Sequence, residues 1–66
     1  MDWLNFIKVM IIDERGAIAK YQLAANKADD PKIKAMFEQM RDEERTHIDI
    51  LEQQEERIKE RLGENK

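Results

Sequence analysis

A single proline divides this chain. Pro31 is the only one in 66 residues, and it follows Ala28-Asp29-Asp30, the one place where the helical pattern breaks. Proline disfavours helical backbone in the residue before it and suits the first position of a new helix. Asp30 is a good N-cap for such a helix. A second helix should therefore begin at about residue 31. Gly63, followed by the polar Glu64-Asn65-Lys66, should end it at about residue 62. Upstream, Asp2 can cap a first helix over about residues 2–28. Gly16 sits inside that helix and costs roughly 1 kcal/mol relative to alanine. No strand pattern, repeat or flexible linker interrupts the two helices. The expected fold class is all-α, a two-helix antiparallel hairpin, with residues 1–66 forming one domain.

Such a hairpin is too small to be comfortably stable alone, because a short chain buries a small fraction of its surface. There is no cysteine, so disulfides, zinc ribbons and iron–sulfur clusters are excluded. A metal or a second chain is the usual remedy. The 12 basic and 15 acidic residues give a net charge of -3 and are mixed along the chain. No basic patch marks a nucleic-acid partner. No apolar run approaches the ~20 residues of a membrane span. The N-terminal Met1-Asp2-Trp3-Leu4-Asn5-Phe6-Ile7-Lys8 lacks the charged-then-apolar order of a signal peptide. A soluble cytoplasmic protein is the expectation.

The first helix carries Trp3, Ile7, Met10, Glu14, Ala17, Tyr21, Ala24 and Ala28 at alternating steps of four and three; the second carries Ile33, Phe37, Met40, Glu44, His47, Leu51, Gln54 and Ile58. Both are seams of the kind that packs helix on helix. Glu14 interrupts the first seam, and Glu44 with His47 the second. In an antiparallel hairpin turning near Asp29, residues at one level have numbers with a constant sum. Ile7 with Leu51, Tyr21 with Phe37 and Ala25 with Ile33 share that sum, and so does Glu14 with Glu44. The odd polar residues therefore converge at one level, about midway along the hairpin.

Two carboxylates facing each other in an apolar seam repel and are poorly solvated, which is expensive unless a proton or cation sits between them. A histidine three residues after one of them shares its helical face. Oxygen and imidazole donors together suit iron, manganese or zinc rather than copper(I) or calcium. One hairpin offers two carboxylates and one imidazole. Two hairpins about a two-fold axis offer four and two, the ligand set of di-iron carboxylate bundles. The expectation is a homodimer, or a larger homo-oligomer, in which a four-helix bundle holds two metals.

Glu14-Arg15-Gly16-Ala17-Ile18-Ala19-Lys20-Tyr21, then Phe37, then Glu44-Arg45-Thr46-His47 resembles the rubrerythrin branch of the ferritin-like superfamily. The spacing between Glu14 and Glu44 is most similar to that of the encapsulated ferritins, whose subunit is also one two-helix hairpin. The similarity spans about residues 7–58. It implies a ferritin-like four-helix bundle and ferroxidase chemistry, the oxidation of ferrous iron by dioxygen at a di-iron site across a subunit interface. By the same resemblance Glu14 and Glu44 are carboxylate ligands, His47 is a terminal ligand, and Tyr21 stands just behind the ligands. Asp13 falls where encapsulated ferritins carry a further acid near the metal path, and Gly16 where another acid often occurs. The resemblance also admits an encapsulin shell as partner and compartment, although the C-terminal Gly63-Glu64-Asn65-Lys66 is unlike a capsid-targeting peptide.

Plainer readings stand beside these. A lone Glu-x-x-His is more often incidental than metal-binding. Tyr21 can be core filler, as Met10, Met36 and Met40 can. Glu43 lies four before His47 but off the seam, where solvent explains it. The acidic stretch from Glu52 to Glu60 reads as a solvated face with pairs such as Glu55–Lys59. Three functions stay open: a ferroxidase using iron, with manganese or zinc as substitutes; a di-iron peroxide reductase; and a metal-free dimerisation module whose buried polar residues set register.

Overall fold

The computed structural model describes residues 1–64, so the polar tail expected at Asn65-Lys66 lies outside the described residues. Two helices, α1 (Trp3–Lys27) and α2 (Pro31–Glu64), pack against each other as a hairpin. The extents are 55 × 14 × 14 Å.

Local chemistry sets the ends. The Asp2 side chain accepts from the Asn5 amide at 3.0 Å, capping α1. At the other end Ala28 is extended, and its N–H donates to the Ala25 carbonyl. Lys27 in the last turn complements the helix dipole. Asp30 then opens α2. Its carboxylate accepts from Lys32 N at 2.8 Å, and its carbonyl accepts the first helical bond from Lys34. Gly63 does not stop α2, which runs on to Glu64. No glycine has a positive φ, so the left-handed stop that glycine favours is not used here.

The register agrees with the level argument. The rings of Tyr21 and Phe37 stack with centroids 6.5 Å apart. Deeper in the hairpin, Arg41 Nη1 donates across to Gln22 Oε1 at 2.8 Å. Arg41 Nε also pairs with Asp42 at 2.9 Å. That hydrogen bond is the main reason the Asp42 carboxyl is held below the usual carboxylate range, and Arg41 is raised in turn.

The contact between the helices differs in one respect from the expected seams. The buried apolar residues are Ile11, Ala25 and Ile48. On α1 they continue through the half-buried Leu4, Ile7 and Ile18, a stripe turned toward Ile11 and away from Trp3 and Met10. Trp3, Ile33 and His47 are exposed. The reason is geometric. One residue is 100° of helix, and a broad apolar arc has two edges. Periodicity finds the arc but does not say which edge meets α2. The displaced edge carries Met10, Ala17 and Tyr21 on α1 with Met40, His47 and Leu51 on α2, and it flanks the hairpin contact rather than filling it.

That leaves much surface uncovered. The chain exposes 5291 Å², whereas a compact monomer of its 7.9 kDa would expose about 4,400 Å². Large apolar side chains contribute, among them Trp3, Phe6, Met36 and Ile50. Among the described residues no helix is long and apolar enough to cross a membrane.

The Asp30 cap provides a test of this account. Asp30→Ala removes the acceptor for Lys32 N and should cost about 1 kcal/mol of unfolding free energy. Urea denaturation followed by circular dichroism would measure it; no loss would mean that Pro31 alone sets the start of α2.

Candidate metal centre

Midway along the hairpin, α1 contributes Glu14 and α2 contributes Glu44 and His47. Glu44 and His47 lie one turn apart on the same face, so both can meet Glu14 across the helix contact. His47 Nδ1 is 3.6 Å from Glu14 Oε2 and 3.5 Å from Glu44 Oε2. One donor atom from each residue can be chosen so that all three lie within 4.8 Å of one another. The structure thus brings together the three residues singled out from the sequence.

Their surroundings are uneven. The Glu14 side chain is 19 % exposed, and Glu44 is similar, while His47 is 54 % exposed. The inner ends of both carboxylates sit in the helix contact, and the imidazole stands at its edge. Glu14 Oε2 is buried and has no hydrogen-bond partner. An acceptor left in that state costs about 1–3 kcal/mol, more when charged. A cation between the carboxylates would satisfy that oxygen and offset the repulsion from Glu44. Two carboxylates and an imidazole are also the donors that suit iron. The residues present therefore fit a metal, and the cluster opens onto an apolar groove formed with Met10, Ile50 and Leu51.

The neighbouring candidates fall elsewhere. Tyr21 lies seven residues beyond Glu14, about 10 Å along α1, and its ring stacks on Phe37. Asp13 is exposed beside Gly16 and Lys20. Glu43 is exposed and accepts from Gln39 at 3.2 Å, away from the cluster. Lys59 pairs with Glu55 at 3.6 Å as expected, but the Glu55 side chain is only 18 % exposed, so the pair borders the helix contact rather than lying on a solvated face. One feature was missed from the sequence: the Arg41–Gln22 bond that ties the two helices together. Its signal was available, since both residues lie on the faces that meet once the contact is centred on Ile11 and Ile48.

If Glu14 and Glu44 repel, replacing one by its neutral isostere should help the protein when metal is removed. Glu14→Gln supplies an amide that can donate to Glu44 or His47. In the presence of a chelator it should raise unfolding free energy by on the order of 1 kcal/mol. A less stable Glu14→Gln protein under those conditions would show that the pair shares a proton or is otherwise satisfied.

Residues 5–65 match the family model described as Rubrerythrin. No curated protein matches the chain, and no solved structure does. The match takes in both helices and all three clustered donors. Members of this family typically bind iron, so the Glu14–Glu44–His47 group is the candidate metal group of a di-iron carboxylate domain. The chain belongs to the rubrerythrin family.

Proposed function

We propose that this protein is a ferroxidase whose site is completed across a dimer interface. The observation that carries the reading is Glu14 Oε2, a buried carboxylate oxygen without a hydrogen-bond partner, 3.6 Å from His47 Nδ1. One hairpin supplies a half-set of ligands. A second copy about a two-fold axis would bring the total to four carboxylates and two imidazoles. Four carboxylates also balance the charge of two ferrous ions. The uncovered apolar surface around the cluster, with Met10, Ile50 and Leu51, supports a partner there. The surface in excess of a compact monomer, roughly 900 Å², is comparable to one partner's share of a standard interface.

In this reading ferrous iron is the substrate, and each ion gives up one electron to dioxygen. Glu14 and Glu44 bind the ions and, being anionic in a low-dielectric setting, favour the more highly charged ferric product. His47 acts as terminal ligand and orients the ion at the groove. Tyr21 from each chain lies near the cluster only if the dimer places it there. The likeness to encapsulated ferritins in the hairpin and in the Glu14 to Glu44 spacing favours dioxygen as oxidant. A shell-enclosed, cytoplasmic setting belongs to the same reading. Manganese or zinc would occupy the site without turnover.

The test is anaerobic titration with ferrous iron followed by admission of dioxygen. About one iron per chain should bind, and oxidation should be fast against free iron in buffer. His47→Ala should slow it at least tenfold, and Glu44→Ala should abolish it. Unchanged oxidation in Glu14→Ala, Glu44→Ala and His47→Ala would overturn the site. Rapid turnover with hydrogen peroxide but not dioxygen would make the protein a peroxide reductase instead.

Assembly is tested separately. A site shared between chains obliges metal to favour association, by linkage. Ultracentrifugation with and without ferrous iron, kept anaerobic, should show a larger association constant with metal and no such increase in His47→Ala. An unchanged constant would place the whole site within one chain.

A further inference from the structure

The groove that opens beside the metal cluster has one sulfur in its wall. Among the described residues it is lined by Met10, Glu14, His47, Ile50 and Leu51. Ile50 and Leu51 are hydrocarbon, and Glu14 and His47 are the cluster's own donors. Met10 is the remaining group with reactive chemistry, since a thioether is open to two-electron oxidation. The helix contact does not need it, because Met10 lies outside the buried line of Ile11, Ala25 and Ile48.

Met10 stands one turn before Glu14, ~6 Å along α1. Helical side chains lean toward the N-terminus, so the Glu14 carboxylate reaches back over the turn on which Met10 stands. Methionine has three rotatable side-chain bonds, which lets its sulfur swing across the mouth of the groove. The other methionines are placed differently. Met1 is 85 % exposed and Met36 47 %. Met40 precedes Glu44 by the same four residues but is not in the groove wall. Met10 itself is half-buried. Exposure alone therefore ranks Met1 and Met36 above Met10 as targets for an oxidant in solution, while nearness to the cluster ranks Met10 first. The two orders are opposite, so the position of oxidation reports where the oxidant arises.

We propose that Met10 is a modification site, the side chain that captures peroxide formed at the cluster. This rests on the ferroxidase reading. Two ferrous ions, as substrate, give two electrons to dioxygen, which takes up two protons and becomes hydrogen peroxide. A lone pair of Met10 Sδ then attacks one peroxide oxygen. The S–O bond forms and the O–O bond breaks. The departing hydroxide takes the proton of the transferred oxygen and leaves as water. Sulfur loses two electrons, peroxide gains two, and the product is the sulfoxide of Met10. The apolar wall of the groove thereby acquires a polar acceptor beside His47. A second chain closed over this face would not protect Met10, because the oxidant is made on the same side of that cover.

The test loads the full chain with ferrous iron without oxygen, then admits dioxygen with catalase in the buffer. Catalase destroys peroxide that escapes and is too large to enter the groove. Trypsin cuts after Lys8 and Arg15, so Met10 is the only methionine of its peptide, and mass spectrometry reads the added oxygen atom. Met10 should be oxidised at least tenfold more than Met1 and Met36. With a chelator and added hydrogen peroxide the order should reverse. His47→Ala, which disables the cluster, should lower Met10 oxidation during ferrous turnover at least tenfold. Met10→Leu, close in volume, should oxidise ferrous iron at the wild-type rate, which separates capture from the reaction itself. Fast iron oxidation with Met10 unmodified, or with Met1 and Met36 oxidised as much, would overturn the proposal and leave the ferroxidase reading standing. So would Met10 oxidised first under the chelator, which would make its reactivity independent of the cluster. Ferrous oxidation no faster than in buffer would overturn the reading and the proposal with it.

Discussion

Two glutamates, one on each helix, face each other midway along the contact between the helices. Every other feature of the hairpin has to accommodate that pair. Placing Glu14 against Glu44 withdraws both carboxylates from water, and one oxygen ends with no hydrogen bond. Apolar residues at the same two positions would pack the helices better. The cost makes sense as a standing preference for a cation, held ready by the fold. His47 at the exposed edge completes a donor set without deepening the burial penalty, because more than half of its side chain stays in solvent.

The same economy explains why the hairpin is open-sided. A 55 Å rod of two helices has no interior to spare. Its buried apolar residues reduce to a line through Ile11, Ala25 and Ile48. Interactions along that line, with the Arg41–Gln22 bond and the Tyr21–Phe37 stack, fix register but supply little of the burial that stabilises larger domains. Further large apolar residues face outward on both helices, among them Val9, Ile12 and Leu23 on α1 and Ile33, Met36 and Ile50 on α2. A ligand or a further chain that bound only the folded hairpin would raise its population, by linkage.

How much of this could be read from the residues depends on which physical rule was at work. The break at Asp30-Pro31 was legible because proline geometry and N-capping are local. The meeting of Glu14, Glu44 and His47 was legible because an antiparallel register needs only the position of the turn. The exact edge of the helix contact was not, since Ile7, Glu14, Phe37 and Glu44 belong to both candidate seams. Choosing between them requires the packing of whole faces. Gly63 misled for a related reason: glycine permits a left-handed stop, but nothing compels one where the chain can continue helically to Glu64. The exposure of Val9, Ile12 and Leu23 was not legible either, because they look like core residues until α2 is seen to lie on another side of α1.

A helix with apolar residues on three flanks would ordinarily be buried on all sides. In α1 the charged residues instead occupy narrow rows between the flanks: Lys8 and Arg15 along the boundary with α2, Asp13 and Lys20 between the cluster flank and the outer flank of Val9, Ile12 and Leu23. Such rows keep the apolar flanks from merging into one patch. The row beside the cluster has charges of both signs, while the row along α2 is positive, so the two borders of the outer flank differ in charge. The cluster is set by two glutamates that are costly to withdraw from water and a histidine that stays half in it. A chain of this size can display so much of its side-chain chemistry because so few residues, Ile11, Ala25 and Ile48, are committed to a private core.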